Sequence, residues 1–199
     1  MVRFEKAVRF DKAGFTDAAA EFSRSSFREF VVFTGARFTG GAMFDHTVFH
    51  SDADFSRTEF DGVAAFNKAC FRRRVTFQEA AFTGPATFED AQFSGAELSV
   101  PATDEDYEPR VSWSAPLPAA FAFLEGSVDR QRAQTRQPVV RFDKARFGRP
   151  ASYVRTQFAC SVTFADTAFV HRQSFALTRF EGADPIGLDD ATRRRPPQL

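Results

Sequence analysis

The chain has 199 residues and balanced charge, 26 Lys+Arg against 26 Asp+Glu, which gives no reason to expect nucleic acid or an anionic membrane as a partner. No stretch approaches the roughly 18 apolar residues needed to span a bilayer. The charged start Met-Val-Arg-Phe-Glu-Lys lacks the apolar core of a signal peptide, and two cysteines, Cys70 and Cys160, cannot build a disulfide framework. The expectation is a soluble, cytoplasmic protein.

The unusual residue is Phe, with 27 copies against 1 Trp and 2 Tyr. Phe stands at 4, 10 and 15, and from Phe22 to Phe93 the steps alternate between 5 and 6 without a miss. A step of 7 between Phe15 and Phe22 marks a one-residue insertion. Leu98 adds one further step, and after a gap the pattern resumes at Phe142, Phe147, Tyr153, Phe158, Phe164, Phe169, Phe175 and Phe180. Only Phe30, Phe121 and Phe123 fall off this register. Two residues before each large one sits a small one, such as Ala36, Thr58, Ala69, Val75 or Thr167, with Gln173 the bulky exception. The residue between is mostly polar, as with Arg37, Asp54, Glu59 and Arg141.

Small, polar, large at period 2 is a short extended segment with one face buried. Steps of 5 or 6 leave no room for a helix between segments, so the chain turns after every few residues and each large side chain fills a central column. Coils then pair edge to edge at about 4.8 Å, each touching only its neighbours. Two sides would give a coil of 11 residues and four sides a coil of 22. Four sides make room for four inward rings per coil and are the expected solution, with Phe44, Phe66 and Phe88 as successive layers of one column.

Runs such as Ala-Thr-Phe-Glu-Asp-Ala-Gln-Phe-Ser-Gly (86–95) and Val-Arg-Phe-Asp-Lys-Ala-Arg-Phe-Gly-Arg (140–149) resemble pentapeptide-repeat proteins. The resemblance covers about residues 2–100 and 140–182. It implies an all-β fold, a right-handed quadrilateral β-helix. Phe replaces nearly every Leu of the family pattern, and every second repeat carries a sixth residue, which should enlarge the turn at two opposite corners. The expected organisation is β-helix over 1–100, a mixed insertion over 101–139, the same solenoid over 140–183, and a disordered tail over 184–199. Prolines punctuate the insertion, which starts with the acidic run Asp104–Glu108; Ala119 to Arg136 could form a helix, with Phe121, Leu124 and Val128 at helical spacing.

Chemistry-bearing motifs are scarce. His46 and His50 are four apart but fall at turns on successive sides, and His171 stands alone. No phosphate loop, paired-carboxylate signature or nucleophile–base motif is present, and a ring-filled core offers no internal pocket. The reading is a non-enzyme without cofactor or metal, which leaves the outer surface. At a coil of 22 residues, Arg28, His50, Arg72 and Ser94 form one outer column and Ser26, Val48, Cys70 and Gln92 its neighbour, with Met43 and Ala65 on the adjacent side. Arg28, Met43, Val48, His50, Ala65, Cys70 and Arg72 are thus the candidate partner surface, an apolar strip beside a basic one to which Arg73 and Arg74 add charge.

The expected function is a rigid, non-catalytic scaffold for an unknown protein partner. The resemblance supplies the alternative, binding or modulation of DNA gyrase by imitating duplex DNA. That mechanism needs an acidic surface, whereas 1–100 holds 12 basic and 14 acidic residues and 140–199 holds 10 and 6. Val2 and Phe4 are already in register, so an uncapped first coil is expected, and with it a homodimer through that end.

Overall fold

The computed structural model describes residues 2–94, 140–181 and 184–189. The expected helix at 119–136, Leu98, and the tail beyond 189 lie outside the described residues.

Each described register segment except that of Phe175, where Ser174 makes a single bridge to Ser152, forms a two-residue strand, and the strands gather into four parallel sheets of seven, six, six and five strands. One coil runs through Ser26–Phe27 on the first side, Val31–Val32 on the second, Arg37–Phe38 on the third and Ala42–Met43 on the fourth. The next coil returns to the first side at Val48–Phe49, with Ser26 opposite Val48 and Phe27 opposite Phe49. The β-helix is four-sided and about six turns long. The chain leaves it after Gln92–Phe93 on the first side and re-enters at Val140–Arg141 on the second, pairing Val140 with Val75 and Val162. The departure therefore falls within a corner, and the ladder of the second side continues across it.

The rings explain why the spacing is so regular. In each column they lie face over face: Phe44 on Phe66 at 4.9 Å and 2°, Phe66 on Phe88 at 5.0 Å and 2°, and Phe88 on Tyr153 at 5.0 Å and 1°. Rings of the second and fourth sides meet edge to face across the centre, Phe55 contacting both Phe44 and Phe66 at 5.5 Å. Both geometries suit the aromatic quadrupole. The small residues before the rings lie in the corners, where several are Thr. Thr47 donates its hydroxyl to the Phe22 carbonyl at 2.7 Å and Thr58 to that of Phe33 at 2.8 Å, tying adjacent coils through buried hydrogen bonds. Tyr153 is the exception in its column: its hydroxyl is buried and has no hydrogen-bond partner among the described residues.

The corners come in two kinds. After the second and fourth sides the step is 5, closed by a hydrogen bond such as Ala69 N–H to the Phe66 carbonyl at 3.1 Å. The third residue of this turn has positive φ, the type II signature, yet it is usually not glycine: His46, Arg57, Lys68, Glu79 and Asp90 sit at φ 55–59°. At the six-residue corners between third and fourth sides glycines stack instead. A Cβ on Gly62 would come within 2.6 Å of Gly41 N and 2.8 Å of Gly40 C, so coils approach here closer than any side chain permits.

The far end departs from expectation. Residues 184–189 continue the solenoid, because Ile186 N–H donates to Val162 O at 3.1 Å and Ile186 O accepts from Phe164 N–H at 2.8 Å. Ile186 lies six residues after Phe180, the spacing of an inward residue. It pairs instead with outward-facing Thr163, so the chain has slipped by one residue, and Leu188 packs on the core in its place.

Two pairs of variants test this architecture in denaturant melts. Phe66→Ala costs about 3–5 kcal/mol, the range for a buried ring lost from a packed core, whereas Tyr153→Phe gains about 1 kcal/mol by removing an unpaired buried hydroxyl. An unchanged or lower midpoint in Tyr153→Phe would show that the hydroxyl is satisfied. At the corners, Gly62→Ala destabilises by more than about 1 kcal/mol, while Glu79→Gly is neutral or stabilising by up to about 1 kcal/mol because it relieves the left-handed backbone.

Candidate partner-binding face

The first side and its corner toward the second carry the sequence-derived candidates. Residues flanking an inward Phe both point outward, so Val48 and His50 bracket Phe49 as Cys70 and Arg72 bracket Phe71, about 7 Å apart along the strand. Parallel pairing then aligns Val48 with Cys70 and stacks His50 beneath Arg72. The latter two touch, with Arg72 Nη1 3.3 Å from His50 Nδ1. Arg28 is exposed one coil below His50 and Arg72 one coil above; Val48, Cys70 and Met43 are half-buried. Ala65 is only 6% exposed, because its short side chain lies between Met43 and Thr87 of the neighbouring strands. It contributes little surface, and the fourth side reaches the candidate face mainly through Met43.

Counting by 22 misses one member. The extra residue between Phe15 and Phe22 shifts the first coil, so Arg3, not Phe4, lies opposite Ser26. Arg3 joins the same electrostatic field, with Glu5 at 3.5 Å. The inserted step shows in the sequence as Asp17, whose φ is 71°.

The electrostatics of this edge differ from those of the third side. There, Arg37 pairs with Asp61 at 2.9 Å and with Glu59 at 3.5 Å. Arg155, at the corner between fourth and first sides, makes a two-pronged bond to Asp90 at 2.6 and 2.8 Å, which holds that carboxyl below its ordinary range. Among the described residues, Arg28, Arg72 and Arg73 have no carboxylate within ion-pairing distance. His50 sits in their field: burial first, then the charges of Arg72, Arg28 and Arg3, hold its imidazole below the ordinary 6.5. A neutral Nδ1 accepting from Arg72 fits that direction.

Other groups are placed for structure. Cys160 is buried, donates to the Phe93 carbonyl at 3.5 Å, and has its thiol pushed up to about 12 by burial, which makes it a poor nucleophile. Asp54, on the second side, is 1% exposed; one oxygen accepts from Ser56 N–H at 2.7 Å, and burial raises its carboxyl. His46 and His171 are exposed. Among the described residues no group of three or more His, Cys, Asp or Glu could hold a metal ion, and no helix is long and apolar enough to cross a membrane. One open depression, lined by Arg155, Gln157, Leu177, Thr178 and Arg179, lies toward the far end.

Residues 44–92, which include two of the fully ring-filled coils, match the family model described as pentapeptide repeats, in 9 copies. Over these residues the chain carries pentapeptide repeats. No curated protein matches the chain. The β-helix presents four sides, and the first combines cations that have no carboxylate partner among the described residues with apolar side chains.

The lowered His50 pKa has a defined sign. Unfolded protein binds the proton more readily than folded protein, so the contribution of His50 to stability is present above 6.5 and is lost as pH falls through 6.5 toward the folded value. NMR titration of the imidazole is expected to give a midpoint below 6.5, moving upward in Arg72→Ala. A midpoint unmoved by that substitution would show that the two side chains do not interact.

Proposed function

We propose that this protein is a non-catalytic scaffold that binds a protein partner through the first side of its β-helix. The observation that carries this reading is the filling of the interior: from Phe27 to Phe164 the columns are closed by stacked rings, and the described core offers no enclosed space for a substrate. What remains is a rigid surface whose side chains stand at a fixed spacing. The strip of Met43, Val48 and Cys70 beside Arg28, His50 and Arg72 is the part of it where apolar and unpaired charged groups lie together, a combination suited to protein contact. The gyrase-mimic reading draws less support, since its contact face should be acidic and this one is basic. We place the activity in the cytoplasm.

Photo-crosslinking in the source cell tests the proposal. A photoreactive residue at Val48 on the first side is expected to capture a discrete protein, and one at Ala81 on the third side is not. Equal labelling from both sides, or none from either, would overturn it. Purified gyrase should retain its supercoiling rate in the presence of the protein; potent inhibition would transfer the assignment to the alternative.

A further inference from the structure

The scaffold reading leaves the chemistry of the partner open, and the ladder on the first side narrows it. We propose that the partner element is an acidic amphipathic α-helix lying along the solenoid axis over Arg28, His50 and Arg72, with its apolar stripe on Val48 and Cys70. The proposal rests on the scaffold reading and specifies its ligand.

Three observations support it. The first is charge. Arg28 and Arg72 stand in one column with only His50 between them, and neither they nor Arg73 have a carboxylate partner among the described residues. An unneutralised row of guanidinium groups favours an anionic partner and forms bidentate bonds with carboxylates.

The second is spacing. Rings under this ladder are 5.2 Å apart between Phe27 and Phe49 and 4.6 Å between Phe49 and Phe71. The outer side chains rise with them, so Arg28 and Arg72 are about 10 Å apart at two strand spacings. An α-helix rises about 5.4 Å per turn, so carboxylates seven residues apart lie on one face about 10.5 Å apart. A helix parallel to the solenoid axis therefore presents one turn to each coil, within a mismatch that long Arg side chains absorb. An extended strand repeats its faces at about 6.7 Å and drifts out of phase with coils at about 4.8 Å.

The third is width. The apolar pair Val48 and Cys70 runs parallel to the basic column at about 7 Å, the separation of neighbouring outward residues on one strand. That offset fits within the 10–12 Å diameter of a helix, so one helix can set an apolar stripe on one column and an acidic stripe on the other. Ser26 is 8% exposed and Gln92 is polar, which limits the apolar contact to about two helical turns.

The test uses the full chain and synthetic peptides. The probe is a hydrocarbon-stapled helical peptide carrying Leu and Glu in adjacent stripes, and its binding is measured by calorimetry at low and high salt. Micromolar affinity is expected, falling at least about tenfold in Arg28→Glu/Arg72→Glu and at high salt. It should be unchanged in Arg37→Glu/Arg146→Glu on the third side. Unaltered circular dichroism and melting of the double variants establish that they fold.

Binding is also expected to weaken when Lys replaces Glu in the peptide, or when proline breaks the helix. Equal affinity for the Lys peptide or the proline peptide overturns the proposal, as does undiminished binding to Arg28→Glu/Arg72→Glu. Duplex DNA that outcompetes the acidic helix on the same residues also overturns it. A cellular partner still crosslinked at Val48 in the double-reversal variant overturns the acidic helix alone and leaves the scaffold reading standing. Absence of any crosslinked partner, with the peptide still bound, counts against the scaffold reading and not against the chemistry of the ladder.

Discussion

The separation of hydrogen-bonded parallel strands, about 4.8 Å, is the constraint on which the rest of this protein depends. It is set by the backbone, yet it falls within the range at which aromatic rings can stack in parallel. A Phe on each strand therefore meets the Phe of the next coil without adjustment, as in the 4.6 Å stack of Phe49 on Phe71. Backbone and core want the same rise. Strands of two residues are far too short to be stable alone, and it is this agreement, repeated on four sides, that makes them persist. Substituting Leu for the rings would keep burial but lose the plane-on-plane contact and the edge-to-face contacts across the centre.

The same constraint governs the outside. Any outward position recurs once per coil, so charges of like sign are forced close together unless the sequence varies them. On the third side Arg37, Glu59 and Asp61 alternate and neutralise one another. At the first-side corner Arg28, His50 and Arg72 do not, and the neutral imidazole between two guanidinium groups moderates what would otherwise be three stacked cations. The face we propose for a partner therefore arises from the same ladder that builds the core, with one column left unbalanced.

Most of this was legible because one residue type marks one structural position. The alternation of 5 and 6 identifies inward sites, and period 2 around each identifies their outward neighbours, so the contact of His50 with Arg72 follows from a coil of 22. Where the marking fails, so does the reading. A count of 22 from Ser26 lands on Phe4, whereas Arg3 lies opposite it, because the added residue between Phe15 and Phe22 moves the frame of the first coil. Ile186 has inward spacing but a one-residue slip turns it outward, since no Phe holds the frame there. The burial of Ala65 depends on the length of Met43 and Thr87 beside it, which no spacing rule describes. The left-handed corners at Lys68 and Glu79 carry no glycine to announce them; the turn is imposed by the strands it joins.

The departure of the chain between Phe93 and Val140 has a consequence for how this molecule can change length. A corner can open and close without altering the strands on either side, so whole coils behave as interchangeable units. Excising residues 29–50 would join Arg28 to Ser51 through a corner of unchanged length and bring Phe27 beneath Phe71 in place of Phe49. Arg28 would then sit directly under Arg72, one coil away. The solenoid is in this sense a molecular ruler graduated in steps of about 4.8 Å, on which the distance between two surface groups is set by how many coils separate them.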